Sequence, residues 1–191
     1  MGMAPTRRLT AEDWISTALT AIAEDGIGAV AVEPLARRLG TTKGSFYWHF
    51  GNRDELLDRA LATWERDHTE AIIAAVDGAD GARSRLKHLL DRVMPTKVDP
   101  LEVALLAAAA TDPRVRPALA RVTQRRTEYV ARLYRSAGMS KAAAERRAVI
   151  AMAIFLGRLQ LAYVAPDVLP KGAAAAAMAT DLEAMLEPPT R

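Results

Sequence analysis

Helix start and stop signals recur along almost the whole chain, and the stretches between them are rich in residues of high helix propensity. Alanine, leucine and arginine dominate these stretches, whereas the period-two alternation that is typical of strands is scarce. Capping residues, prolines and glycines divide the chain into about nine helices. The sequence therefore predicts an all-α fold with an N-terminal three-helix domain (1–53) and a C-terminal helical bundle (54–191).

The first 50 residues contain the signals of three short helices. Thr10 and Asp13 have the spacing of a capping box, which opens the first helix. A second helix is predicted at about 34–39, where Gly40 suits the left-handed residue after its end. A third helix (43–50) follows after a brief turn. The order of helix, turn and helix predicts a helix-turn-helix.

Longer helices are expected in the rest of the chain. Asn52 is placed to cap a fourth helix that continues to about residue 76. A fifth helix is expected to end near Met94, and Pro117 is expected to kink or restart a later one. Starts of the other helices are predicted near Asp99, Asp112, Ser140 and Ala173.

Composition argues against several classes of function. The chain contains no cysteine, which excludes disulfides, thiolate nucleophiles and cysteine metal clusters. Its three histidines lack the short spacing of metal ligands, so no metal is expected. We find no recognisable pairing of a serine nucleophile with a histidine and no glycine-rich phosphate loop. We therefore expect neither catalysis nor a cofactor.

The longest apolar run, 148–157, is about half as long as a membrane span. The N-terminal residues also lack the apolar stretch of a secretion signal. We therefore expect a cytoplasmic protein without membrane contact.

Positive charge is concentrated in one short segment. The net charge of the chain is only +3, too small by itself to indicate nucleic-acid binding. Between Arg37 and Arg53, however, there are four basic residues and no acidic one. A local basic surface is therefore expected around the third helix.

The same segment holds four of the ten aromatic residues of the chain within five positions. On a helix, Phe46 and Phe50 share one face, which can meet the leucines of the second helix. Tyr47 and Trp48 then point elsewhere, and side chains of that size gain little by facing water. Either a neighbouring helix or an external partner should cover them.

Two interpretations of this segment remain open on the residues alone. An outward face of Lys43, Ser45, Tyr47 and His49 suits the major groove of DNA, with the three neighbouring arginines on phosphates. Alternatively, the aromatic residues plug into the long helix that follows, and the segment is a structural subdomain.

The spacing of the whole N-terminal block resembles the tetracycline-repressor (TetR) family. The matching elements are LARRLG at 35–40, SFYWHF at 45–50 and NRDELL at 52–57. The resemblance covers about residues 9–57 and implies a DNA-reading helix-turn-helix in front of a ligand-binding and dimerising body. Ala31, Glu33 and Pro34 depart from the family pattern, so the second helix is expected to make fewer DNA contacts.

From the residues and the resemblance together, we expect a defined set of DNA-contacting residues. The resemblance implies that Tyr47 commonly contacts phosphate and that Arg53 touches the DNA backbone. The expected set consists of Arg37, Arg38, Lys43, Gly44, Ser45, Tyr47, Trp48, His49 and Arg53.

The resemblance also implies a homodimer through the last two helices. The sequence offers a matching apolar stripe at helical spacing, made of Met152, Phe155, Leu156, Leu159, Tyr163, Met178, Leu182 and Met185. The two helix-turn-helix domains of a symmetric dimer would place their recognition helices about 34 Å apart or somewhat further. This predicts a near-palindromic operator on double-stranded DNA.

Large or polar groups interrupt the aliphatic helices of the body and are candidates for a pocket. They are Trp64, His68, Met94, Leu105, Tyr129, Gln160 and Tyr163. For each of them, ordinary core packing is the competing interpretation. The expected function is a repressor that an unknown small molecule releases from its operator. The alternative is a nonspecific DNA-binding or protein-interaction protein without ligand sensing.

Overall fold

The computed structural model describes residues 9–93 and 97–188, and these residues form helices without any strand. In the described residues we label nine helices. The N-terminal three are α1 (Ala11–Asp25), α2 (Val32–Arg38) and α3 (Lys43–Tyr47); α4 consists of Arg53–Glu65, a π-helical turn (Arg66–Glu70) and Ala71–Asp77. The other five are α5 (Ala82–Val93), α6 (Pro100–Ala108), α7 (Val115–Ser136), α8 (Lys141–Val164) and α9 (Ala173–Leu186). The predicted all-α class is confirmed.

The sequence signals act where they were expected. The hydroxyl of Thr10 accepts a hydrogen bond from the Asp13 amide, and the Asp13 carboxylate accepts one from the Thr10 amide, which completes the capping box. Asn52 Oδ1 accepts from the Glu55 amide at 2.9 Å and caps α4. Gly40 follows α2 with a φ of 62°, in the left-handed region that favours glycine.

Three details of the helices differ from the sequence expectation. The third helix, predicted over 43–50, ends at Tyr47, because the chain continues as a turn in which the His49 amide donates to the Phe46 carbonyl. The helix expected near Asp112 begins at Val115 and runs unbroken to Ser136, because Pro117 lies in its first turn, where no amide needs a helical partner. The π turn in the middle of α4 was not foreseen, since no residue type announces it.

The chain packs around two apolar cores. The first core joins α1, α2 and α3 to the first half of α4, and it continues into α6 and the start of α7. Its N-terminal centre contains Phe46, which contacts Trp14 edge-to-face at 5.3 Å and stacks on Phe50 at 5.4 Å. The second core lies between the end of α4, α5, α7, α8 and the end of α9. Helix α4 therefore takes part in both cores.

Helices α8 and α9 leave a large apolar face uncovered. Val149, Ile150, Leu161 and Val164 of α8 are all exposed, and so is Met185 of α9. By length and composition α8 could cross a membrane, yet only 28% of its most apolar window is buried inside the chain. Core helices of soluble proteins pass the same length test. The uncovered face of α8 is not the stripe predicted from the sequence, because Met152 and Leu159 of that stripe are buried against the rest of the chain.

Candidate nucleic-acid interface and effector cavity

The recognition segment, α3 and the turn that follows it, splits its aromatic residues between core and surface. Phe46 and Phe50 are buried, as the helical spacing predicted. Tyr47 and Trp48 remain 60% and 82% exposed, so no neighbouring helix covers them. Burying Phe46 and Phe50 anchors the segment on the first core, and this anchor forces the other two rings outward.

Small and polar residues flank these two rings on the same short segment. Gly44 and Lys43 are exposed, whereas Ser45 and His49 are half-buried. A Cβ atom built on Gly44 would meet only Thr42 Oγ1, at an ordinary 3.6 Å. Nothing within the described residues therefore requires a glycine at this position. Its lack of a side chain leaves room for a partner to approach the backbone closely.

The four basic residues near the recognition segment differ in how freely they can reach a partner. Arg37 is exposed on α2, and Lys43 forms an ion pair with Glu33 at the surface. Arg38 is paired with Glu24 and Asp25 of α1, both at 2.5 Å. These pairs orient the Arg38 side chain toward α1.

Arg53 has partners inside the domain. Its Nε donates to the Val30 carbonyl at 2.7 Å, and its Nη2 donates to the Ile27 carbonyl at 3.3 Å. Asp112 lies 3.9 Å from the same guanidinium. Arg53 thus ties the start of α4 to the chain segment between α1 and α2, a role that sequence reasoning did not foresee.

An apolar cavity of about 60 Å³ lies in the second core. Its wall is formed by the C-terminal part of α4 together with α5, α7 and α8. The lining residues are Thr69, Ile72, Ile73, Leu86, Leu89, Leu90, Val93, Arg126, Tyr129, Val130, Tyr134, Ala151, Met152 and Phe155.

The structure does not bring the seven predicted pocket residues together. Tyr129 lines the cavity, but Trp64 and Leu105 are fully buried in the first core. Gln160 and Tyr163 are exposed on α8, because the helical turn places them on the uncovered face rather than toward α7. His68 lies on the π turn outside the cavity wall, and Met94 lies outside the described residues.

A buried polar cluster joins the two cores at the π turn of α4. Arg126 of α7 donates through both terminal nitrogens to the carboxylate of Glu102, at 2.7 and 3.2 Å. It also donates to the hydroxyl of Thr69 (3.0 Å) and to the carbonyl of His68 (3.1 Å). Trp64 Nε1 donates to Glu102 at 3.2 Å. Every one of these bonds serves a group that would be costly to bury without a partner.

His68 stands at the rim of this polar cluster. The hydrogen bond between its Nδ1 and Asp99 Oδ2 (3.3 Å) raises the pKa of the imidazole, against an opposing contribution from partial burial. The same bond lowers the pKa of the Asp99 carboxyl. Asp99 additionally caps α6 by accepting from the Leu101 amide. Protonated His68 therefore strengthens the contact between α4 and the start of α6.

Sequence reasoning missed Arg126, Glu102 and Thr69. No local signal distinguishes Arg126 from Arg125, its neighbour, whose guanidinium lies at the surface on Glu70. A buried acid can be recognised only once the base that faces it is known.

The body also contacts the beginning of α4 near the recognition segment. Arg114, at the start of α7, donates to Asp58 at 2.6 Å and to Asp54 at 2.9 Å. Both aspartates lie in the first two turns of α4. These two ion pairs join the start of α7 to the end of α4 that follows the recognition segment.

Comparison with known proteins bears on the helix-turn-helix directly. Residues 15–60 match the sequence model of the bacterial regulatory proteins of the tetR family. Over these residues the chain is similar to the tetR family. This match agrees with the resemblance carried by residues 35–57 and with the two-sided recognition segment described above.

One relative is similar in sequence to about a third of the chain. Over 64 residues the chain is 38% identical to the tetracycline repressor protein class A from transposon 1721 of Escherichia coli. The aligned stretch covers 33% of this chain and 30% of that repressor, so it spans less than a third of the relative.

Solved structures extend the TetR-type likeness to the whole fold. A TetR transcriptional regulator from Legionella pneumophila superposes with a TM-score of 0.76 and 14% identity, over 98% of this chain and all of that one (100%). AibR, solved with isovaleryl coenzyme A and operator DNA, superposes with a TM-score of 0.67 and 16% identity, over 94% and 99% of the two chains. At such identities the likeness establishes the arrangement of helices.

Proposed function

We propose that this chain is a sequence-specific DNA-binding transcriptional regulator, a homodimeric repressor that a small molecule releases from a near-palindromic operator. The observation that carries the proposal is the exposure of Tyr47 and Trp48 on a recognition segment whose other two aromatic rings anchor it to the core. Rings that the protein leaves uncovered beside basic residues suit base edges and phosphates.

Within this proposal the DNA-contacting residues divide by their intramolecular partners. Arg37, Gly44, Tyr47 and Trp48 are exposed and can approach DNA, with Ser45 and His49 beside them. Lys43 is also exposed, and its surface ion pair with Glu33 would be exchanged for one with a phosphate. Arg38 and Arg53 would contact phosphate while keeping their bonds within the domain, so we assign them a positioning role.

The two proposed functions, DNA binding and effector binding, are assigned to different parts of the chain. Residues 1–53 would read DNA, and residues 54–191 would bind the effector and the second subunit. AibR, with the same arrangement of helices, was solved with both an acyl coenzyme A and operator DNA. That pairing supports a regulator that holds an effector in the body and DNA on the N-terminal domain. We propose a cytoplasmic protein without catalytic activity.

The uncovered face of α8 and α9 supports the homodimer. Ile150, Leu161 and Val164 recur at helical spacing on the exposed side of α8, with Ala153 and Gly157 between them. A Cβ on Gly157 would have open space, so no packing among the described residues requires a glycine there.

The first experiment is the selection of bound sequences from random duplex DNA by the purified protein, at a moderate ionic strength of about 0.15 M. The proposal expects enrichment of a short inverted repeat. Enrichment of no sequence despite DNA binding would favour the nonspecific binder instead, and absence of DNA binding would favour a protein-interaction role.

Matched lysine variants sharpen this experiment. Lys43→Ala removes a surface lysine next to the recognition segment, and Lys171→Ala removes one that is also paired with a carboxylate, Asp167, but lies beyond α8. We expect Lys43→Ala to weaken operator binding and to reduce the slope of log affinity against log salt by about 1. Lys171→Ala should leave both quantities unchanged.

A further inference from the structure

The chemistry of the cavity wall constrains what the effector can be. Ten of the fourteen lining residues have aliphatic, thioether or phenyl side chains. The other four are Thr69, Arg126, Tyr129 and Tyr134, and their polar atoms would have to serve any charged or strongly polar ligand.

Each of the four polar side chains already has a partner within the protein. Tyr129 donates its hydroxyl hydrogen to Asp77 at 2.9 Å, and Tyr134 donates its own to the Leu186 carbonyl at 2.6 Å. Thr69 accepts from Arg126 at 3.0 Å. The guanidinium of Arg126 is neutralised by the two-pronged bond to Glu102, whose side chain is only 6% exposed. A ligand in the cavity therefore meets no uncompensated charge.

From this wall we infer that the cavity takes an uncharged, apolar small molecule as the effector. The inference rests on the proposed function and adds the chemical class of the ligand. A carboxylate would have to compete with Glu102 for Arg126, and an ammonium group would find no carboxylate in the wall. Burying either ion without a counter-charge costs more than burying a neutral alkyl or aryl group gains.

The size of the cavity adds a condition on how the ligand enters. At about 60 Å³ it is well below the roughly 150 Å³ of an engineered cavity that holds benzene. A ligand of the size of benzene or larger must therefore displace part of the wall. The flexible Met152 is the side chain best suited to move. The wall includes Thr69, Ile72 and Ile73 of α4, so widening the cavity presses on the helix that leads to the DNA-reading domain.

The test uses three probes with the same eight-carbon chain and different charge: 1-octanol, octanoate and octylammonium. Binding to the full-length protein is measured by isothermal titration calorimetry near pH 7, where the carboxyl and amine probes are both ionised. We expect 1-octanol to bind at least about tenfold more tightly than either ion. Tighter binding of octanoate or octylammonium would overturn the inference, and so would absence of binding by all three.

Two variants of the wall locate the binding. Ala151→Leu fills the cavity from α8 and should weaken 1-octanol binding at least about tenfold, whereas Leu89→Ala enlarges it and should preserve or strengthen binding. Ala74→Leu, on the exposed side of α4, is the matched control and should bind as the parent does. Equal binding by Ala151→Leu and the parent would place the probe elsewhere and sink the inference.

Operator binding is followed in the same preparations. If the protein selects an inverted repeat but binds none of the probes, the ligand class is wrong while the regulator stands. If 1-octanol binds in the cavity but no DNA is selected, the DNA-reading function fails while the apolar site stands.

Discussion

The side chains of the recognition segment serve two demands that conflict within a few residues. Phe46 must be buried to hold the segment on the first core, and Tyr47, next to it, must stay outside. The edge-to-face contact between these two rings, 5.2 Å apart, shows that even the outer ring is steadied by the inner one. At this scale, stability and recognition can be separated by substitution.

Gly44 offers one such separation. It lies in a helix without requiring a left-handed φ, so alanine fits the backbone and reduces the entropy of the unfolded chain. We expect Gly44→Ala to raise the free energy of unfolding by about 0.4–1 kcal/mol. If DNA approaches the backbone here, the same variant weakens operator binding.

Chemical denaturation and a binding titration on the selected operator measure the two effects of Gly44→Ala. A matched variant is Gly78→Ala at the end of α4, which is far from the recognition segment and should leave operator affinity unchanged. Unchanged operator affinity in Gly44→Ala would show that no close approach occurs at this position.

His68 makes the stability of the molecule depend on pH. Its hydrogen bond to Asp99 raises the folded-state pKa above the ordinary 6.5. The charged and titratable groups near it are Asp99, Glu102 and Arg126, together with its chain neighbour Asp67. A raised histidine pKa contributes stability fully below pH 6.5, and this contribution is lost as the pH rises through the folded-state pKa.

We therefore expect the melting temperature of the parent to fall between about pH 6 and about pH 8 by more than that of His68→Gln. Thermal unfolding monitored by circular dichroism across this range measures the difference. His88→Gln, on the exposed side of α5, is the control and should follow the parent. Parallel curves for His68→Gln and the parent would remove His68 from the pH response.

Among the helices, α4 connects the two proposed sites. Its cap, Asn52, follows the recognition segment directly, and Thr69 of its π turn lies in the cavity wall. At 1.5 Å per residue these two points are roughly 25 Å apart. Such turns are often found at functional sites, and this one is held by Arg126 through the His68 carbonyl and the Thr69 hydroxyl.

Removing Arg126 should therefore have a large effect. Arg126→Met leaves the carboxylate of Glu102 buried, with Trp64 Nε1 as its remaining hydrogen-bond donor among the described residues. We expect a loss of about 3–5 kcal/mol in the free energy of unfolding. Arg125→Met, one residue earlier, removes an exposed pair with Glu70 and should cost about 1 kcal/mol or less.

Urea denaturation of both variants provides the comparison. The double variant Arg126→Met with Glu102→Leu should recover part of the loss, because the unpaired buried charge is then gone. Equal destabilisation by Arg125→Met and Arg126→Met would refute the assignment of Arg126 as the buried anchor of the π turn.

At the scale of the whole molecule, a single chain leaves the apolar surface of α8 and α9 uncovered on one side. Helix α9 is fastened at its C-terminal end, where Tyr134 donates to the Leu186 carbonyl and Arg147 donates to the carbonyls of Met185 and Glu187. Its N-terminal half and the outer face of α8 remain exposed. A second copy that packs on both helices would bury this surface by the hydrophobic effect.

We expect Ile150→Glu to shift the protein from dimer to monomer at micromolar concentration, since Ile150 is 52% exposed on the uncovered face. Sedimentation equilibrium measures the change, and operator affinity should fall with it because two half-sites are then no longer bound together. Ala74→Glu, on exposed α4, should remain dimeric. A dimeric Ile150→Glu would move the interface elsewhere.

Much of this protein is determined by local sequence. Caps and glycines act on their own backbone neighbours, so residues such as Thr10, Asn52 and Gly40 marked the helix boundaries correctly. The 3.6-residue period likewise placed Phe46 and Phe50 inside. The N-terminal block contains enough matching residues at fixed spacing to indicate the tetR family, whose sequence model matches residues 15–60.

Only the tertiary structure decided which groups of the body meet. Of the described pocket candidates, Tyr129 alone lines the cavity, because the packing of α7 against α4 and α8 selects the wall. The pairing of Arg126 with Glu102 joins residues 24 positions apart on different helices, and Arg53 turned inward toward carbonyls more than 20 positions away. A helical period states which side chains share a face, but the facing partner depends on how helices distant in sequence pack together.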